Sequence, residues 1–235
     1  MFAFNTAEPI IRRKQHALDF QDCQGLLNLK LQISDKTLFH NIYTRIDQVF
    51  VVWGLITALI FFTAQFLPID WRTQATFWSV LTVAGTVAMS VLTYFWVKVE
   101  RLRWVLYVWI VLMLAGVGIT DYGIFCGSAT ILMHLCDLWL VLSAVGYFCT
   151  GIGLRSRAFI MSGLFHILGI AILPYCIGWQ FMATGLVMTA NLLMFAQTQW
   201  DMRLPIDNYG VLSEEQKEFN RQQFLIRQAE PVEVG

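Results

Sequence analysis

His134 and Asp137 stand three residues apart inside one apolar stretch of the sequence, and His166 stands alone inside the next. On a helix, residues three apart share a face, so His134 and Asp137 can form a His–carboxylate hydrogen bond or offer two ligands to a metal. An ionisable group within a membrane span costs about 2.5–3.5 kcal/mol on insertion scales, which makes each of these residues a functional suspect. Asp121, near the end of a preceding apolar segment, joins them at the margin.

What these groups can do depends on their depth. At about 1.5 Å of rise per residue, Asp137 lies roughly 25 Å up its helix from the preceding basic loop, Asp121 roughly 27 Å up its own, and His166 about 13 Å. The gap of some 12 Å to His166 exceeds any single coordination sphere, whose bonds are near 2 Å. Asp121, His134 and Asp137 are therefore expected as one polar cluster, with Arg72 as a partner and His166 isolated. Three roles fit such a cluster: structural glue between helices, a proton or cation pathway, and a metal or haem site. Glue comes first, because the ligand set is poor and no HExxH pattern is present. His166, beside Ser162 and Gly163, is expected to hydrogen-bond between helices, as are Gln65 and Asn191.

The elements that position these residues follow from composition. Of 235 residues, 57% are hydrophobic and 14% charged. Soluble domains average about 25% charged, so the chain falls in the membrane class. Net charge is zero, which removes the basic field that nucleic-acid binding requires.

Six segments approach the roughly 20 apolar residues needed to cross a bilayer. They are Val49–Leu67, Ala75–Val97, Trp104–Thr120 (extendable to Phe125), Ala129–Gly153, Ala158–Leu173 and Trp179–Trp200. The connections alternate in charge. Arg72 alone occupies one side, and the other fifteen of the 16 Lys and Arg residues occupy the opposite side. Under the positive-inside rule this predicts six crossings with both termini cytoplasmic. Tyr94, Trp96, Trp104, Tyr107 and Trp200 fall at the predicted inner ends, and Trp71, Trp78, Tyr122, Tyr175 and Trp179 at the outer ends. The first 30 residues lack a signal-peptide pattern, so the segment from Val49 is expected to serve as its own insertion signal.

The expected fold class is thus an all-α integral membrane bundle with short amphipathic helices at both ends. Residues 1–48 form the first flank, 49–200 the membrane domain, and 201–235 the tail. A helix is expected from Ser34 or Asp35 on the stripe Leu38, Phe39, Ile42 and Ile46, suited to a membrane surface or a partner. A second is expected at Ser213-Glu214-Glu215-Gln216, a capping-box pattern, with Phe219, Phe224 and Ile226 on one face and Pro231 at its end. The prolines Pro68 and Pro174 lie at span ends, so no broken helix is signalled. Arg101-Leu102-Arg103 and Arg155-Ser156-Arg157 are similar, either a duplicated hairpin or the charge rule acting twice.

No G-x-S-x-G elbow, Walker loop or Rossmann glycine pattern is present, which argues against hydrolases and nucleotide-driven pumps. None of the five cysteines forms a CxxC pair; Cys126 and Cys176 fall in predicted outer loops, where an oxidising face would permit a disulfide. The sequence specifies no cofactor. The leading expectation is a non-enzymatic accessory, assembly or structural subunit of a membrane complex. It would sit in a prokaryotic plasma membrane or an internal, thylakoid-type one, contacting lipid and other membrane proteins. A small transporter or channel using Asp121, His134 and Asp137 is the alternative, and a metal- or haem-binding protein the third.

Overall fold

In a computed structural model of the chain, residue 4 and residues 9–33, 36–203 and 210–229 are described. The described residues are mostly helical. The chain begins with a short strand β1 (Ile11–Arg12), one turn of helix α1 (Phe20–Cys23) and an antiparallel hairpin, β2 (Leu27–Ile33) and β3 (Lys36–Tyr43). Then come α2 (Arg45–Phe66), α3 (Trp71–Val99) and α4 (Arg103–Phe125). They are followed by α5 (Ala129–Met133), α6 (Leu135–Leu154), α7 (Arg157–Ile172, continued by a 3-10 turn at Leu173–Tyr175) and α8 (Gln180–Gln197). Strand β4 (Gln199–Trp200) and helix α9 (Glu214–Ala229) complete it.

Five of these helices, α2, α3, α4, α6 and α7, are long and apolar enough to cross a membrane. The chain is a multi-pass, membrane-embedded protein. Outward positions such as Val80, Val91, Val111 and Leu186 are 62–68% exposed and apolar, a belt that lipid tails accept and water does not. Helix α8 has 18 residues and carries Gln180, Asn191 and Gln197, which leaves it outside that group of five.

Packing joins all six. Helix α2 lies on α3 and α8, α8 on α7, α7 on α6, α6 on α4, and α4 on α3, so the helices close a ring. Glycines permit the closest approaches. A Cβ on Gly146 of α6 would sit 2.5 Å from the Trp109 ring of α4, and one on Gly185 of α8 would sit 2.6 Å from Phe61 Cβ of α2. Near one end, Phe159 and Phe195 stack at 4.4 Å, with Phe50, Tyr147 and Trp200 around them.

Helix limits have local causes. Thr44 and Asp47 form a reciprocal capping box at the start of α2. Pro68 follows its end, since proline cannot continue a helix. Asp70 accepts the Thr73 amide at the start of α3. Among the described residues, Arg101 and Arg155 are the two non-glycine residues with positive φ, at 54° and 52°. Each is followed by the same bond, Leu102 N–H to Val97 O and Ser156 N–H to Gly151 O. One Schellman-type turn thus serves the α3–α4 and α6–α7 connections, which accounts for their similar sequences.

Two expectations need correction. The N-terminal amphipathic helix is instead the β2–β3 hairpin, paired from Leu27↔Tyr43 to Ile33↔Lys36. The alternation Leu27-Asn28-Leu29-Lys30-Leu31-Gln32-Ile33 has a period of two, which is strand patterning and outweighs the helical stripe. Ser34 and Asp35 lie outside the described residues. The long helices still form the expected helical bundle, accompanied by this hairpin and by the short β1–β4 pair. Finally, the segment Ala129–Gly153 is broken at His134, whose φ and ψ of −117° and 19° leave the helix. No proline causes this break. His134 caps the renewed helix, and Asp137 sits in its first turn, where a carboxylate meets the positive end of the helix dipole. The tail helix forms as expected, with Ser213 and Gln216 capping reciprocally; Pro231 lies outside the described residues.

Candidate functional site

The residues singled out from the sequence take separate partners. His134 Nδ1 and Asp137 Oδ2 are 2.8 Å apart, with the two side chains 66% and 33% exposed. Asp121 on α4 accepts the Ser79 hydroxyl of α3 at 2.9 Å on each carboxylate oxygen. Arg72 is exposed in the first turn of α3, in a cleft with Trp71, Ile124 and Phe181. Among the described residues it forms no ion pair with Asp121. The fold therefore brings His134 to Asp137 and leaves Asp121 and Arg72 with other neighbours. Among the described residues, no group of three or more His, Cys, Asp or Glu side chains could hold a metal ion.

His166 is fully buried between Ser162 and Tyr147. Its Nδ1 lies 2.8 Å from the Ser162 carbonyl of its own helix, so the bond is within α7, not between helices as expected. The interhelical bond belongs to Ser162, whose hydroxyl donates to Asn191 Oδ1 of α8 at 2.8 Å. Gln65 does act between helices, donating to Gly178 O and accepting the Met182 amide of α8. All five cysteines are free, Cys126 and Cys176 included.

Two features were missed in the sequence. The first is a cavity of about 150 Å³ at the centre of the ring, lined by residues of α2, α3, α4, α6, α7 and α8. The second is a polar platform at the end where β1 and β4 pair. There Asp201 is 1% exposed and accepts four bonds, from Ser156 Oγ, from Arg157 N–H and Nε–H, and from Ala158 N–H. Glu100 binds Arg203 and Gln21. Asp19 pairs with Arg227 of α9, and Lys14 with Asp47 of α2. A second cavity of about 390 Å³ opens among these groups and shares Ile46, Trp96 and Trp200 with the central one. A sequence signal for the platform existed: five carboxylates, at 19, 22, 47, 100 and 201, set among the basic connections.

Asp22 stands out in this platform. Its carboxylate accepts Trp96 Nε1–H at 2.9 Å. Desolvation and the nearby Asp19 and Glu100 carboxylates push its pKa up to about 7, while Trp96 and Arg227 pull the other way. Desolvation raises Asp19 and Glu100 in the same direction. A folded-state pKa above the unfolded one means the folded protein holds a proton that the unfolded chain has released. Stability should therefore fall as pH rises from the ordinary aspartate value of 3.8 towards 7. Thermal unfolding in detergent between pH 5 and 8 reads this directly. Asp22→Asn should flatten the slope, and an unchanged slope in that variant would remove Asp22 as its source.

Comparison of the chain with protein-family models, curated proteins and solved structures found no match.

Proposed function

We propose that the chain is a six-span membrane protein with both termini on the cytoplasmic side of a prokaryotic plasma membrane or an internal, thylakoid-type membrane. Its role in this reading is that of a non-enzymatic accessory or assembly subunit. The fifteen-to-one division of basic residues supports six crossings. So does the pairing of β1, before the first membrane helix, with β4, after the sixth, since an even number of crossings returns the chain to its starting side.

The observation that carries the subunit role is where apolar side chains lie outside the ring. Leu27 and Leu29 of the hairpin are 46% and 45% exposed, and Leu225 and Ile226 of α9 are 58% and 46% exposed. Both elements come from the termini and stand outside the long apolar helices. Ordered apolar side chains of this kind suit a protein partner. The transport reading would need a water-filled route past Asp137. The pairing of His134 with Asp137 and the apolar lining of the central cavity weigh against it.

The test is purification in a mild detergent of the full chain and of a variant with Leu27, Leu29, Leu225 and Ile226 all changed to Glu. A partner membrane protein should accompany the first in fixed stoichiometry and be absent from the second. A wild-type chain that runs alone, with both flanks intact, would contradict the role.

A further inference from the structure

The central cavity is built unlike ordinary packing space. Its lining is almost entirely apolar, yet two buried polar atoms beside it lack a partner, Trp53 Nε1 and His166 Nε2. Buried polar atoms without a partner are rare and costly, of order 1–3 kcal/mol each. Three of the four threonines that line the cavity do not answer them. Thr57, Thr93 and Thr150 donate to the carbonyls of Trp53, Met89 and Gly146, each within its own helix. The two orphan atoms, alongside the hydroxyls of Thr82, Ser143 and Tyr147, are the polar groups the cavity has to offer.

Their chemistry is complementary. An indole N–H can only donate. The Ser162 carbonyl can only accept, so it holds the proton on His166 Nδ1, and Nε2 of the neutral ring is left as an acceptor. Trp53 lies eight residues into α2 and His166 nine residues into α7. At about 1.5 Å per residue, both sit roughly 12–14 Å from helix starts at the same end of the bundle. A donor and an acceptor therefore occupy one level of the ring. Trp109, Trp139 and Tyr147 supply aromatic walls.

We propose that this cavity binds a small one-ring, hydroxyl-bearing apolar molecule of the phenol class. The volume of about 150 Å³ matches a single ring, since an engineered apolar cavity of about that size takes up benzene. A hydroxyl meets both orphan atoms, giving its hydrogen to His166 Nε2 and accepting from Trp53 Nε1–H; two oxygens on one ring would serve as well. The ring stacks against the aromatic walls. Entry is from the polar platform, because Ile46, Trp96 and Trp200 border both cavities. This site is independent of the subunit role.

The probe is 4-fluorophenol, followed by its fluorine resonance, against the full-length protein in detergent. Fluorobenzene, alike in size but without the hydroxyl, is the comparison. Fluorophenol should bind saturably, and fluorobenzene at least about ten-fold more weakly, the loss expected from about 1.4 kcal/mol of hydrogen bonding. Trp53→Phe and His166→Phe should each weaken fluorophenol about ten-fold and leave fluorobenzene unchanged. Thr82→Met, which fills the cavity, should abolish saturable binding of both, and it keeps the test decisive if His166→Phe fails to fold. Equal affinity for the two probes overturns the proposal. So does uptake that never saturates, or fluorophenol binding that neither Trp53→Phe nor Thr82→Met reduces.

Discussion

Asp201→Ala is expected to cost about 3–5 kcal/mol, the range for removing one partner from a buried charged group. The side chain is fully buried and accepts four hydrogen bonds. Two come from the first backbone amides of α7, groups that have no partner within the helix. One comes from the Arg157 guanidinium at 2.8 Å. Asp201→Asn keeps the shape but presents one oxygen and loses the charge, so its cost should be smaller. Denaturant titration in mixed micelles, scored by Trp fluorescence, measures both. A cost below about 1 kcal/mol for Asp201→Ala, the ordinary value of a single neutral hydrogen bond, would show that the tail does not hold the α6–α7 connection.

Gly146→Val should be nearly as damaging, by about 3 kcal/mol, the upper part of the range for overpacking a core. Even one methyl at this position would meet the Trp109 ring at 2.5 Å. The ring cannot swing away cheaply. Trp109 Nε1 donates to Thr150 Oγ1 at 2.9 Å, and the ring sits edge-on to Tyr147 at 5.4 Å. The ring of helices would have to open between α4 and α6, where the central cavity is also bounded. Trp109→Ala placed on top of Gly146→Val should recover part of the loss, since it removes the clash. Unfolding midpoints of the two single variants and the double variant test this coupling. Strictly additive losses would contradict the contact.

The membrane helices were legible because long apolar runs have few alternatives. Ala75–Val97 lies within α3, and Trp104–Phe125 within α4. The hairpin was misread because Leu38, Phe39, Ile42 and Ile46 imitate a helical stripe, although the alternation of Leu27 to Ile33 was in plain view. The break at His134 carries no proline, and the usual signal for a broken helix was missing. The five carboxylates of the platform were in view, but their pairings could not be read. Asp19 finds Arg227 across 208 positions and Glu100 finds Arg203 across 103, pairings that no local pattern encodes. His166 proved fully buried beside the central cavity, and His134 and Asp137 found each other.

Six crossings, with both ends of the chain on one side, are the central proposal for this protein. Three native cysteines report on the first five crossings, and Ser213→Cys, beyond α8, reports on the sixth. Cys126 follows α4 at the end away from the platform, Cys176 follows the 3-10 turn after α7, and Cys23 ends α1 within the N-terminal segment. Single-cysteine variants treated with a membrane-impermeant maleimide give the direct measurement. In right-side-out vesicles Cys126 and Cys176 should label, whereas Cys23 and the Ser213→Cys variant should not; in inside-out vesicles the pattern should reverse. Labelling of Ser213→Cys from the same side as Cys176 would leave only five crossings. Labelling of Cys23 and Cys126 from the same side would contradict the six-crossing arrangement.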